Sequence, residues 1–121
     1  MGVNMLLLNH KKLEVWNKSM ELVTNIYLIT KTFPKEELFG LTNQLRRAAV
    51  SVVSNIAEGS ARKSNIERKR FYEISRASLV EIDSQIEISF RLEYIDKEKL
   101  DLVSGLINSV FALLSNLILK T

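Results

Sequence analysis

The chain has 121 residues, 46% of them hydrophobic and 26% charged, with a formal net charge of +3 and a pI near 9.3. That is the length of a single domain with enough apolar material for a core, which excludes a disordered chain. The absence of cysteine excludes a disulfide framework and thiolate metal centres and fits a cytoplasmic location, while one proline and four glycines leave little material for hairpin turns, so an all-α chain is expected.

Residues 1–10 read as an N-terminal tail of a single domain spanning 1–121. Met5–Leu8 is a short apolar cluster with no basic residue before it and no small-residue cleavage site after it, so no secretory signal is expected. Leu6 stands where a myristoylation signal needs Ser or Thr.

A first helix is expected over about 12–32. It stops ahead of Phe33-Pro34, because proline disfavours the helical conformation in its predecessor. Leu13, Trp16, Met20, Val23 and Tyr27 form its expected core face. Val15, Leu22, Ile26 and Ile29 project to roughly the opposite side at about 100° per residue. A bundle helix needs one apolar stripe, so this second one is expected at an oligomer interface.

The second helix is expected over about 36–58, with Gly59 just past its end. Leu41, Leu45, Ala48, Ala49, Val52 and Ile56 make an apolar face. Beside it runs a polar ladder of Gln44, Arg47, Ser51, Asn55 and Glu58. Ser51 and Asn55 sit mid-helix, where no cap is needed. In one reading Arg47, Asn55 and Glu58 satisfy one another or a neighbouring helix. In the other, Arg47 and Glu58 are the charged members of a ligand or partner site.

The third helix is expected over about 65–93, opened by Ser64 and Glu67 in capping-box spacing. Phe71, Leu79, Ile82, Ile86 and Phe90 form one face. Ile74, Ala77, Ile88 and Leu92 form a second, with Ser75, Ser78 and Ser89 between them. The fourth helix is expected over about 97–119 behind Asp96 as N-cap, with Lys99 in place of the usual acidic residue. Leu102–Leu119 contains no charge across 18 positions, long enough to be considered as a membrane span. Yet Asn108, Ser109, Ser115 and Asn116 oppose Val103, Leu106, Val110, Leu114 and Leu117, and no aromatic belt flanks the run. That is amphipathic patterning, and no membrane is expected.

Short connections between long helices imply an up-down-up-down antiparallel four-helix bundle. The extra stripes on the first and third helices would leave a large apolar patch in water. So would the small uncharged face Gly105, Asn108, Ala112, Ser115 and Asn116 of the fourth. A cyclic homo-oligomer is therefore expected.

Charge concentrates between Arg62 and Arg76. Arg62, Lys63, Arg68, Lys69, Arg70 and Arg76 face only Glu67 and Glu73, a local excess of +4. Arg46 and Arg47 are expected to join them. Arg46, Arg47, Arg62, Lys63, Arg68, Lys69 and Arg70 thus form a candidate phosphate-binding surface for RNA or DNA, aided by the free N–H groups that open the third helix. Repetition around a ring would multiply such contacts. The competing reading is a solvated helix face.

Catalytic chemistry finds little support. The lone histidine, His10, falls in the expected tail, and no Glu-x-x-His pair, phosphate-binding loop or His-Glu-x-x-His sequence occurs. No serine has a base beside it. Glu81, Asp83 and Glu87 are the nearest approach to an acidic cluster, but only Asp83 and Glu87 share a side. No catalytic residue, metal or cofactor is expected.

The segments LEVWNKSMEL, TKTFPKEELFGLTNQLRRAAVSVVSNIAEG and ASLVEIDSQIEIS resemble the bacterial four-helix proteins encoded within 23S rRNA intervening sequences. The resemblance covers about residues 12–119. It is carried most specifically by Trp16, Phe33, Pro34, Arg46, Arg47, Ser51, Asn55, Glu58 and Gly59, with Ala77-Ser78 where that family usually shows Gly-Ser. It implies a small antiparallel bundle assembled as a ring, a pentamer. The fold is similar to that of the accessory variability determinant of diversity-generating retroelements, which implies basic surfaces contacting nucleic acid and a reverse transcriptase. The resemblance brings no catalytic residues. A non-enzymatic, nucleic-acid-binding oligomer is therefore expected, with a protein-interaction scaffold as the alternative and a Glu58-dependent nuclease as a third, weaker one.

Overall fold

Four helices carry the chain: α1 (Glu14–Thr30), α2 (Leu41–Ala61), α3 (Asn65–Arg91) and α4 (Lys97–Lys120), with a 3-10 turn at Lys35–Glu37. They come from a computed structural model that describes residue 10 and residues 13–121, where no strand occurs. The remainder of the expected tail, and a first-helix start at Lys12, lie outside the described residues.

Each boundary has a local cause. At the end of α1, the N–H groups of Lys31, Thr32 and Phe33 turn to carbonyls three residues back, at 3.4, 3.4 and 3.1 Å. The tightened turn leads into Pro34, where the helix cannot continue. Helix α2 begins later than expected, at Leu41, because the chain first makes the 3-10 turn and then leaves helical geometry at Gly40 (φ −113°, ψ −114°). With no side-chain cap at Gly40, the Glu37 carboxylate accepts the Leu41 N–H at 3.2 Å. Its other oxygen accepts the Tyr94 hydroxyl at 2.9 Å, which ties the α3–α4 connection to the start of α2. That hydrogen bond holds the Tyr94 phenol above its ordinary pKa, because ionisation would set two anions together.

Ser64 Oγ accepts the Glu67 N–H at 3.1 Å and Asp96 Oδ1 accepts the Lys99 N–H at 2.8 Å, so both expected N-caps form. Helix α3 closes slightly early, with Leu92 as C-cap and Glu93 in the left-handed region at φ 63°. Tyr94 N–H then reaches Ser89 C=O and Glu93 N–H reaches Phe90 C=O, both at 2.9 Å, the paired bonds of a Schellman ending.

Helix α2 runs through Gly59 to Ala61, so that glycine does not end the helix as expected. Its missing side chain instead admits α3. A Cβ at Gly59 would lie 2.7 and 2.9 Å from the Tyr72 ring and 3.1 Å from the Arg68 carbonyl.

The helices pack as neighbours, α1 on α2, α2 on α3, α3 on α4 and α4 on α1, with no diagonal pair among the described residues. This four-sided bundle buries Leu22 and Ile26, Leu45, Val52 and Ile56, Leu79 and Ile82, and Val103, Val110 and Leu114 at its centre. Although α4 is long and apolar enough to cross a membrane by length and composition, it buries Val103, Ile107, Val110, Leu114 and Ile118 against the other helices.

The first helix largely reverses the expected assignment, although Leu13, Trp16 and Val23 of the expected core face do pack, partly buried, against the core. Val15, Leu22, Ile26 and Ile29, expected at an oligomer interface, are 4%, 0%, 0% and 5% exposed within the single chain. Met20 and Tyr27, expected in the core, are 40% and 39% exposed. The inward stripe also contains Ser19 and Thr30, whose hydroxyls donate to Val15 C=O and Ile26 C=O at 2.7 Å each. Serving their own helix in this way, the two polar residues enter the core at little cost and complete its heptad-like spacing.

On α3 the two stripes fall as expected: Leu79, Ile82 and Ile86 are buried, while Ile74, Ile88 and Leu92 are exposed. Ser75, Ser78 and Ser89 are buried rather than marginal. His10 leaves the expected tail as well, lying 92% buried with its ring edge-on to Trp16 at 5.3 Å.

Gly59→Ala should lower stability by about 1–2 kcal/mol, because the forced overlap with Tyr72 exceeds the gain in helix propensity; a shifted urea midpoint at unchanged slope measures it. Glu93→Gly should raise stability by about 1 kcal/mol by relieving the left-handed backbone, seen as a higher Tm.

Candidate nucleic-acid interface

The α2–α3 hairpin turns within Arg62–Ser64 and carries the densest positive charge in the chain. Two of its arginines brace it. Arg68 Nε donates to the Arg62 carbonyl at 2.7 Å, satisfying an acceptor beyond the C-terminus of α2, and its Nη1 donates to Asn65 Oδ1 at 3.3 Å. Arg62 pairs with Glu58 at 2.8 Å and stacks over the Phe71 ring at 4.9 Å. Ser60 Oγ and Tyr72 OH meet at 3.0 Å behind them.

Lys63, Lys69 and Arg70 are exposed and make no ion pair among the described residues. Lys120, in the last turn of α4, joins this end of the bundle. It lines a cleft of about 310 Å³ with Arg68, Asn65, Ser60 and Tyr72. No local charge run announces Lys120. The signal that could have found it was the expected bundle, which returns the fourth helix to the second connection.

The opposite end has the other sign. Residues 93–101 carry Glu93, Asp96, Glu98 and Asp101 against Lys97 and Lys99, and the nearby turn adds Glu36 and Glu37 against Lys35. The bundle is therefore electrically polar along its length.

The expected phosphate surface is smaller than the seven cations named from sequence. Arg46 is committed inside the chain: its Nε donates to Thr30 Oγ1 at 2.9 Å and its guanidinium covers the Tyr27 ring at 4.7 Å. Arg47 is exposed, but it lies about 22 Å from Arg62 along α2 at 1.5 Å per residue. It lines a separate groove between α2 and α3 with Gln44, Ala48, Ser51, Ser78, Glu81 and Gln85.

The polar ladder divides in the same way. Ser51 Oγ meets Ser78 Oγ at 2.8 Å, and Asn55 Nδ2 donates to Ser51 C=O and Oγ at 2.8 and 3.1 Å. These rungs belong to helix packing, with Ser75 Oγ donating to Val52 C=O at 2.7 Å beside them. Glu58 serves Arg62, Gln44 is exposed, and Arg47 bonds neither Asn55 nor Glu58. The two charged residues of the ligand-site reading are thus not brought together. The acidic candidates separate too: Glu81 borders the α2–α3 groove, whereas Asp83 and Glu87 border the α3–α4 groove, with Glu87 paired to Arg91 at 2.7 Å.

This division predicts unequal consequences of losing charge. Arg46→Ala should cost about 1–2 kcal/mol through its lost hydrogen bond and ring contact, whereas Lys69→Ala should change stability by less than about 0.5 kcal/mol; parallel urea titrations compare them.

A family profile for the 23S rRNA-intervening sequence protein matches residues 11–116. The structure is similar to that of a protein of unknown function from the S23 ribosomal protein family of Bacteroides thetaiotaomicron VPI-5482. The two are 25% identical and superpose with a TM-score of 0.79 over 88% of this chain and 96% of that one. No curated protein matches the chain. With the match spanning most of the sequence and the four-helix architecture shared, this chain belongs to the 23S rRNA-intervening sequence protein family.

Proposed function

We propose that this protein is a non-enzymatic homo-oligomer that binds structured RNA or DNA through the α2–α3 end of each bundle. The observation that carries the reading is the set of exposed, unpaired cations Lys63, Lys69 and Arg70 on a hairpin held rigid by Arg62 and Arg68. Lysines and arginines without internal partners release counterions when they meet phosphates, and that release drives binding. Arg62 can join them, since its pair with Glu58 is solvent-exposed and such pairs are worth at most about 1 kcal/mol.

The assembly is an up-down-up-down bundle repeated around a closed ring in the cytoplasm. Large exposed apolar side chains support it: Leu28 is 56% exposed, Leu102 58% and Val80 53%. The pentameric ring size rests on the family resemblance. Around such a ring each weak basic end is repeated, so several phosphates are engaged at once.

One observation favours a second reading, a protein-binding scaffold. Phe39 is 90% exposed with Leu38 51% exposed beside it, at the acidic end far from the hairpin cations. An aromatic anchor presented this way suits a protein partner.

Purified, nuclease-treated protein titrated with RNA and DNA across a salt series separates the readings. Binding should weaken steeply with salt, and Lys63→Gln with Lys69→Gln should reduce the slope of log K against log salt by about 2 per contacting copy. Unchanged binding by that double variant removes the hairpin assignment. No binding at low salt leaves Leu38–Phe39 as the functional surface.

A further inference from the structure

We infer that the cleft at the basic end of the bundle is a pocket for a phosphate monoester, the phosphorylated end of a nucleic-acid strand. This rests on the nucleic-acid reading above and adds to it which part of the strand is gripped.

The cations of that end are of two kinds. Lys63, Lys69 and Arg70 stand exposed on the hairpin and form a surface that any run of phosphodiesters can meet. Arg68 and Lys120 come from different helices and converge, with Ser60, Asn65 and Tyr72, on one cleft of about 310 Å³. No Asp or Glu lines that cleft. Neither Arg68 nor Lys120 makes an ion pair among the described residues, so nothing inside the chain neutralises them. The volume lies at the small end of the range for ligand sites, enough for a phosphate with its sugar and too little for a duplex.

The donors of the cleft have capacity left over. Arg68 is fixed along one edge, with Nε on the Arg62 carbonyl at 2.7 Å and Nη1 on Asn65 Oδ1 at 3.3 Å, and no hydrogen bond among the described residues takes its Nη2. A guanidinium held in this way is already oriented, so a ligand meeting its remaining N–H groups costs little side-chain freedom. Ser60 Oγ and Tyr72 OH share one hydrogen bond at 3.0 Å. Whichever hydroxyl donates, the other keeps its proton, so the pair has one O–H to offer. Tyr72 is only 4% exposed and its ring sits against Gly59, which fixes where that O–H stands. Lys120 brings an ammonium from the last turn of α4. Asn65 opens α3, where backbone N–H groups lack helical partners and the helix dipole favours an anion.

Charge and shape together select the ligand. A terminal phosphate monoester carries about −1.5 to −2 near neutral pH, whereas each phosphodiester within a strand carries about −1. Two cations with no carboxylate beside them suit the more highly charged group. A continuous backbone runs past so small a cleft, and a strand end enters it.

The test uses one short RNA stem-loop made with a 5′-phosphate, with a 3′-phosphate, or with hydroxyls at both ends. Each is labelled in its loop and titrated against purified, nuclease-treated protein at one salt concentration, and 5′-AMP serves as a free phosphate monoester. The cleft variant is Lys120→Gln, an exposed position in a last helical turn that the core does not need. Lys63→Gln is the comparison outside the cleft. At least one phosphorylated RNA should bind about tenfold tighter than the hydroxyl-ended one, the worth of one hydrogen bond to a charged group. Lys120→Gln should remove that preference and leave the hydroxyl-ended RNA nearly unchanged, while Lys63→Gln weakens all three alike. Equal binding of the three RNAs overturns the cleft and leaves the nucleic-acid reading standing. So does a preference that survives Lys120→Gln, or a loss in that variant shared equally by all three. If no RNA binds, the nucleic-acid reading fails. Saturable 5′-AMP binding that Lys120→Gln abolishes then keeps the cleft as a phosphate-monoester site with a free nucleotide as its occupant, and no 5′-AMP binding overturns the cleft as well.

Discussion

The close approach of α2 and α3 is the constraint on which the rest of this structure depends. It is made by absence and by small polar groups: no side chain at Gly59 beside Tyr72, and Ser51, Ser75 and Ser78 where larger residues would push the helices apart. Serine would normally be a poor choice for a helix interior. Here each buried hydroxyl has a partner across the seam, so none carries the full desolvation penalty of an unmade hydrogen bond. The seam runs the length of α2 and ends at the turn that presents Arg62, Lys63, Lys69 and Arg70. Its rigidity is what turns a run of cations into a surface of fixed spacing.

Along the same axis the arginines divide by role. Arg46, Arg68 and Arg76 spend their donors on hydroxyls, an amide side chain and a backbone carbonyl of the chain itself, and two of them also cover aromatic rings. Guanidinium geometry suits this bracing, because one planar group can serve several acceptors while stacking. The uncommitted charges are mainly the lysines and Arg70. At the far end, Glu37 does the corresponding bracing with a carboxylate, accepting Leu41 N–H and Tyr94 OH so that two connections hold one another. Basic and acidic ends are thereby both ordered and both distinct.

The apolar surface is the counterpart of this polar order. A bundle of four helices in a chain of 121 residues cannot turn every hydrophobic side chain inward, and α1, α3 and α4 each retain some outside. Such apolar surface remains on every helix, Val50 of α2 and Val80 of α3 included, and a monomer in water seldom leaves so much of it uncovered. It joins the packing of one bundle to the assembly proposed for several.

Local signals in the sequence were enough to determine the number of helices, their approximate extents, the caps at Ser64 and Asp96, the basic hairpin and the family. All of these depend on residues within a turn or two of one another, or on a long continuous match. Other features were decided only by the tertiary structure. Periodicity shows that α1 has two apolar stripes, but not which one faces inward. Ser19 and Thr30 hid the true core stripe, because their polarity is cancelled by carbonyls one turn back. Gly59 looked like a helix stop until Tyr72, distant in the chain, claimed the space beside it. Arg46 and Arg47 are adjacent in sequence, yet about 100° of helical rotation sends one to Thr30 and Tyr27 and the other to an open groove. Lys120 joined the basic end only when α4 returned there. A sequence records the angle of a side chain about its own helix; which neighbour occupies that angle is settled by packing between residues far apart in the chain.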